Sequence, residues 1–213
     1  MQMYYFLNNW QKATYDVYEH FPKAGVVSPV PNPSLSYYKT ANIFRKYLFS
    51  NRINSSKIKN VDAVFKFAES IGQLDYFKKK YSDNYLTLSH ETFKAVIGAG
   101  HFIATYNSAV FDLDFIRKTE FVLGGESENL LLDDKAFQSN FLRLSTEDNY
   151  AYHIGNVLEE WILKAFDKLT VETHNFENPL RFNGINNSFF SKVGNKIFDS
   201  HKVRNIILKQ IFK

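Results

Sequence analysis

The chain has no cysteine among its 213 residues, and proline, glycine and methionine are sparse, with five, nine and two copies. The lack of cysteine excludes disulfide bonds, thiolate metal sites and cysteine nucleophiles. No stretch approaches the roughly 18 uninterrupted apolar residues of a membrane-spanning helix. The first residues, MQMYYFLNNWQK, lack the basic segment and long apolar run of a signal peptide. We therefore expect a cytoplasmic protein, or a virion component if the source is viral, with no membrane partner.

Several motifs of catalysis are also missing. The sequence contains neither a Gly-x-Ser-x-Gly nucleophile elbow nor a phosphate-binding loop ending in Gly-Lys-Ser or Gly-Lys-Thr. Its six histidines show no spacing typical of a zinc or di-iron site on one helix. We expect no cofactor and no metal, and a binding protein is favoured over an enzyme.

Aromatic residues are abundant instead, with 21 phenylalanines and 13 tyrosines. Large aromatic side chains supply buried area both in protein cores and at protein interfaces. A phenylalanine-rich core and an interface that uses some of these residues are both open interpretations.

Apolar residues recur at three- and four-residue spacing along most of the chain, which is the period of an amphipathic helix. The longest such pattern spans 147–171, with Ser145 or Thr146 as its cap. The stretch 89–107 is apolar nearly all round, which favours a helix buried among other helices. We predict further helices over 3–21, 34–50, 61–71, 74–81, 188–198 and 201–212. The fold class predicted is mainly α: a multi-helix globular bundle forming a single helical domain over 1–213, with a small irregular or β-containing acidic insert around 110–141.

Residues 22–33 hold four of the five prolines, Pro22, Pro29, Pro31 and Pro33. Proline-rich segments are extended and have little freedom to bend. The segment is either an N-terminal arm laid on a neighbouring molecule or a loop on its own domain.

Charge is distributed unevenly along the chain. Residues 39–80 contain ten Lys and Arg against three Asp and Glu, and residues 112–177 contain six against fourteen. Residues 181–213 contain seven against one, so the C-terminal helices predicted within 188–213 are basic. Such segments suit a surface for nucleic acid, complementary patches for protein docking, or simply solvated helix faces.

The run AVIGAGHFIA, from Ala95 to Ala104, resembles the glycine fingerprint of dinucleotide-binding proteins at Gly98 and Gly100. The resemblance departs from the pattern at the third glycine position, which is Ile103. It implies a strand, a phosphate-binding turn and a helix, whereas a continuous packed helix is the alternative.

A metal-dependent nuclease needs converging carboxylates with a lysine close by. Asp112 and Asp114, followed by Asp133 and Lys135, fit that outline. The alternative is an acidic solvated loop.

Basic residues mixed with aromatics could follow a nucleic-acid backbone while rings stack on bases. The residues predicted for such an interface are Lys39, Arg45, Lys46, Arg52, Lys57, Lys59, Lys202, Arg204 and Lys209.

The function predicted first is that of a non-enzymatic interaction or assembly subunit, such as a viral or phage ring, connector or accessory protein. Its partners would be proteins, in a homo- or hetero-oligomer. Its docking surface would be the acidic face of the helix over 147–171, with Glu159, Glu160 and Asp167. The alternative is a nucleic-acid-binding protein that includes the metal-dependent nuclease.

Overall fold

A computed structural model describes residues 3–72, 83–111, 129–155, 160, 164 and 188–211. Strands are numbered in chain order: β1 Met3–Phe6, β2 Ala24–Ser28, β3 Ile53–Lys57, β4 Asn84–His90, β5 Phe93–Ile97, β6 Thr105–Tyr106, β7 Leu142–Ser145 and β8 Ala151–Gly155. The α-helices are α1 Trp10–His20, α2 Ala41–Tyr47, α3 Val61–Ser70, α4 Lys135–Gln138, α5 Phe189–Asp199 and α6 His201–Ile211. Two 3₁₀ turns, Pro33–Leu35 and Ser108–Val110, and a π-helical turn, Asn129–Asp134, complete the described elements.

Six strands form one mixed sheet in the order β3-β4-β5-β7-β2-β6. Strands β2 and β7 are parallel, and the other neighbouring pairs of this sheet are antiparallel. Strands β1 and β8 pair antiparallel in a separate two-stranded sheet.

Both faces of the large sheet are covered by helices. Side chains alternate between the two faces of each strand, so each face has its own apolar core. On one face, Leu142 and Leu144 of β7 belong to a core that also takes Val17 from α1, Phe44 from α2 and Ile207 from α6. On the other face, α3 covers the outer strands through a core of Ile58, Val64, Ala68, Tyr85 and Val96, and Ala136 of α4 packs with Val26, Ala99, Val110 and Phe141.

The predictions of a mainly α bundle and of an all-α protein are therefore wrong, because a six-stranded sheet forms the core. The single domain over 1–213 stays a prediction. The stretch 89–107 contains the central strand β5, in which Ala95, Val96 and Ile97 are all buried. A strand covered on both faces is apolar at every position, so its sequence cannot be told from that of a buried helix by periodicity alone.

The helix predicted over 147–171 is also wrong in its first part. Residues 147–150 form a connection, and Ala151–Gly155 form β8. Glu160 and Lys164 are helical, and the rest of the stretch lies outside the described residues. Residues 3–21 likewise divide into β1 and α1.

Residues 22–33 pass through the middle of the fold. They include all of β2, which is buried along its whole length, and the buried residues Pro29, Pro31 and Pro33. Strand β2 is central because it pairs with β7 on one side and β6 on the other. In the structure this segment is therefore part of the core of its own chain and does not extend from it as an arm.

The helices that lie close to their predicted positions carry local start signals. Asn60 caps α3 by accepting a hydrogen bond from the Ala63 amide at 3.0 Å, and Ser188 caps α5 by accepting one from the Ser191 amide at 3.2 Å. Such caps satisfy amide groups that have no partner within the helix. These signals are local, so the sequence alone reveals them.

Candidate functional site

A buried polar cluster lies at the end of the two central strands of the large sheet, where β5 ends and β7 begins. Strands β5 and β7 are antiparallel, and the Gly98 amide after β5 donates to the Arg143 carbonyl of β7 at 2.9 Å. Gly98 has φ of +107°, and a Cβ there would lie 2.6 Å from the Leu35 carbonyl oxygen. Only glycine combines this backbone conformation with such a close approach, so the turn after β5 is fixed against the 3₁₀ turn before α2.

Arg143 and Asp133 form a fully buried ion pair, since the side chain of each is 0% exposed. Leu142 and Leu144 turn to the core on one face of β7, so Arg143 projects from the other. Its Nη1 donates to Asp133 Oδ1 at 2.5 Å, and its Nη2 donates to the Ala99 carbonyl. The guanidinium therefore links the turn after β5 to the π-helical turn that precedes α4.

His101 completes the cluster from the same turn after β5. Its Nδ1 lies 2.9 Å from Asp133 Oδ2. Burial raises the pKa of the Asp133 carboxyl, but the hydrogen bond from His101 and the charge of Arg143 outweigh burial and hold this pKa below its ordinary value. Because an ionised carboxylate only accepts hydrogen bonds, Nδ1 of His101 is the donor, which leaves Nε2 as the ring nitrogen that can take or give a proton.

Tyr38 and Lys39 form the rim of the cluster. The Tyr38 hydroxyl donates to Asn129 Oδ1 at 3.1 Å, and burial, reinforced by the charge of Asp133, raises its pKa to about 12. Lys39, at a positive φ of 56°, forms an ion pair with Asp134. The Arg143 guanidinium lies 5.6 Å from the centre of the Tyr38 ring. A tyrosine that stays protonated and a lysine thus lie beside the His101–Asp133 pair.

The arrangement contains the parts of an acid–base site. A carboxylate on Nδ1 orients the ring, fixes its tautomer and stabilises the imidazolium that forms when Nε2 takes a proton. Here the carboxylate itself is held ionised by a buried guanidinium.

Of the four carboxylate and lysine residues predicted for a nuclease, Asp133 is the one at the centre of this cluster. Lys135 lies two residues further on, at the start of α4. Asp112 and Asp114 lie outside the described residues. Within the described part of the chain, no group of three or more acidic or histidine side chains could hold a metal ion. The nuclease stays a prediction.

The residues predicted for a nucleic-acid interface divide into two groups. Five of them are engaged within the protein: Lys39 with Asp134, Arg45 with Asn195, Arg52 with the Ser89 carbonyl, Lys59 with Glu147 and Arg204 with Asp199. Lys46, Lys57, Lys202 and Lys209 are exposed. Nucleic-acid binding also stays a prediction.

Of the acidic docking surface, Glu160 is exposed and helical, whereas Glu159 and Asp167 lie outside the described residues. Across the ranges that the structure describes, no helix is long and apolar enough to cross a membrane. The assembly role and its protein partners stay predictions.

No pattern in the sequence indicated His101, Arg143 and Tyr38 as members of one site. The glycine-rich run after a strand was the available signal, because the strand and turn of the dinucleotide fingerprint are present at β5 and Gly98. The helix that this fingerprint requires is absent after Gly100, where the chain bends into β6. A pyrophosphate site at a helix N-terminus is therefore not formed there.

Comparisons with known proteins give no match: no family model fits the chain, and neither the curated proteins nor the solved structures contain a significantly similar one.

Proposed function

We propose that the chain is an enzyme of the transferase or hydrolase class, in which His101 takes the proton from an attacking hydroxyl group. The observation that carries the proposal is the buried chain of contacts from Arg143 through Asp133 to His101. A histidine held in this way by a carboxylate is the usual general base for activating oxygen nucleophiles.

The attacking hydroxyl comes from outside the protein, as water or an acceptor alcohol. The chain has no cysteine. Ser145, on the same face of β7 as Arg143, is fully buried and donates its hydroxyl to the Gly98 carbonyl. Tyr38 keeps its proton, because its pKa is raised to about 12. The proton of the attacking hydroxyl passes to His101 Nε2 and then to the leaving group, so the ring returns to its starting state.

A purely structural role explains this cluster less well. A buried ion pair contributes little net stability, because the desolvation of both charges offsets their attraction. Arg143 Nε is buried and has no hydrogen-bond partner among the described residues, which costs about 1–3 kcal/mol. Unsatisfied buried groups and shifted pKa values concentrate at functional sites.

The test is turnover of a panel of activated substrates: p-nitrophenyl acetate, bis-p-nitrophenyl phosphate and p-nitrophenyl glycosides, in water alone and with glycerol as acceptor. We expect turnover of at least one class, reduced by roughly 10²–10⁴-fold in His101→Gln. His201→Gln, which changes an exposed histidine of α6, is the matched control and keeps the wild-type rate. Failure of the folded wild type to turn over any substrate, or an unchanged rate in His101→Gln, contradicts the proposal.

A further inference from the structure

Helix α5 presents an apolar stripe to solvent. Phe189, Phe190, Val193 and Ile197 are 75%, 84%, 41% and 55% exposed. At about 100° per residue, these four positions fall within a sector of about 100° on the helix surface. Two adjacent phenylalanines at this exposure form a concentrated apolar patch, and such patches mark interaction sites.

The opposite side of α5 is anchored, so the outward direction of the stripe is fixed. Asn195 is buried, accepts a hydrogen bond from Arg45 Nε at 2.7 Å and donates one to Asn140 Oδ1 at 2.8 Å. A Cβ at Gly194 would lie 2.5 Å from Arg45 Cδ, so glycine allows α2 and α5 to approach closely. Rotation of α5 to bury its stripe would break these contacts.

The surface around the stripe is positively charged. Lys192 and Lys196 are exposed on α5, and Lys202 and Lys209 are exposed on α6. Over 188–211 the single acidic residue is Asp199, and it is already paired with Arg204. The stripe therefore has lysines beside it, and the segment 188–211 holds no unpaired carboxylate.

The charge and shape of the stripe favour one kind of binding partner. In a symmetric contact between two copies of α5, the lysines of each copy would face those of the other, and juxtaposed like charges are costly. A short convex helix face with projecting phenylalanines and flanking lysines instead suits the boundary between headgroups and acyl chains of a bilayer. We propose that α5 and α6 dock on an anionic lipid surface, with Phe189 and Phe190 inserted and the lysines at the lipid phosphates.

Co-sedimentation of the full chain with lipid vesicles tests this. We expect binding to phosphatidylcholine vesicles that contain phosphatidylserine, and at least about tenfold weaker binding to phosphatidylcholine alone, because each lysine near an anionic surface contributes about a fivefold gain. The double variant Phe189→Ser/Phe190→Ser should lower the partition constant by about 100-fold or more, since each phenylalanine contributes about tenfold or more through apolar burial. The control Phe49→Ser changes a phenylalanine that is 89% exposed outside α5 and α6, and we expect it to leave binding unchanged.

A charge-reversal pair makes the second arm. Lys192→Glu/Lys196→Glu should lose most binding to the anionic vesicles, whereas Lys57→Glu/Lys94→Glu, at exposed positions of β3 and β5, should keep it. Circular dichroism checks that each variant is folded. The proposal is overturned by absence of vesicle binding, by binding that survives the phenylalanine change, or by equally tight binding to soluble polyglutamate. A dimer seen by light scattering and abolished in Phe189→Ser/Phe190→Ser would also overturn it, in favour of self-association.

Discussion

Replacement of Arg143 by methionine removes the charge partner of Asp133 and keeps a side chain of similar length in a fully buried position. Asp133 then keeps its hydrogen bond with His101 but loses the guanidinium. Removal of one member of a buried ion pair costs about 3–5 kcal/mol, because the remaining charge is left uncompensated in a medium of low dielectric constant. Domains of ordinary stability unfold with about 5–15 kcal/mol, so we expect Arg143→Met to lose about a fifth or more of the free energy of unfolding.

Urea unfolding followed by circular dichroism at pH 7 gives this free energy. The matched control is Arg204→Met, which removes an arginine from an ion pair with Asp199 whose side chains are 30% and 40% exposed. Exposed ion pairs contribute about 0–1 kcal/mol, so the control should lose no more than that. The contrast isolates burial as the cause.

Asp133→Asn and the double variant complete the test. Because both residues act on one buried interaction, the double variant should lose about 0.5–3 kcal/mol less than the sum of the single losses. The lowered pKa of Asp133 adds a dependence on pH. Its contribution is fully present above the unfolded-state value of about 3.9 and is lost as the pH falls through the folded-state pKa. Asp133→Asn should abolish that acid-dependent loss.

The reasoning is refuted if Arg143→Met destabilises the protein by no more than the Arg204→Met control, or if the losses of the two single variants simply add. Either result would mean that Arg143 and Asp133 do not share a buried, mutually neutralising contact.

Three further outcomes follow from the structure. Gly98→Ala should lower the free energy of unfolding by about 2–4 kcal/mol, because the new Cβ would meet the Leu35 carbonyl at a φ that alanine rarely adopts. Urea unfolding measures this loss. A loss below about 0.5 kcal/mol would contradict the turn described. Ser188→Ala should lower the stability of α5 by about 1 kcal/mol, because the hydrogen bond from the Ser191 amide to the Ser188 hydroxyl is lost. Hydrogen exchange of the amides at the start of α5 should become faster. Unchanged exchange would contradict the cap. Burial lowers the pKa of His153, so the unfolded state takes up the proton first and stability should fall as the pH drops below about 6.5. His153→Gln should reduce the difference between urea midpoints at pH 7.5 and 5.5, and an equal difference in both proteins would contradict this.

Part of the fold can be read from local signals. The spacing of apolar residues predicts helices over 61–71 and 188–198, and α3 and α5 lie at these positions. Helix α3 lies at the surface with one buried apolar side, so its sequence carries a period of 3.6 residues, whereas the apolar stripe of α5 has the same period but faces solvent. The strands inside the sheet carry no such period, because β2 and most of β5 are buried on both sides.

The candidate site was only partly visible in the sequence. Asp133 belonged to a carboxylate pattern suggested for metal binding, and Gly98 belonged to a glycine run suggested for nucleotide binding. The structure joins these two segments in a different way, through Arg143. His101 and Asp133 are 32 positions apart, so no local spacing connects them.

The sequence by itself determined the absence of thiol chemistry, the location of the apolar runs and the approximate bounds of α3, α5 and α6, because each depends on residue types or on neighbours within a few positions. Tertiary structure decided which apolar runs became strands, since a strand gains its partners only from distant segments. It also decided that Arg143, in a strand, neutralises Asp133, in a turn. The hydrogen bond between His101 and Asp133 is likewise a long-range contact, and a pattern of residues along the chain does not contain it.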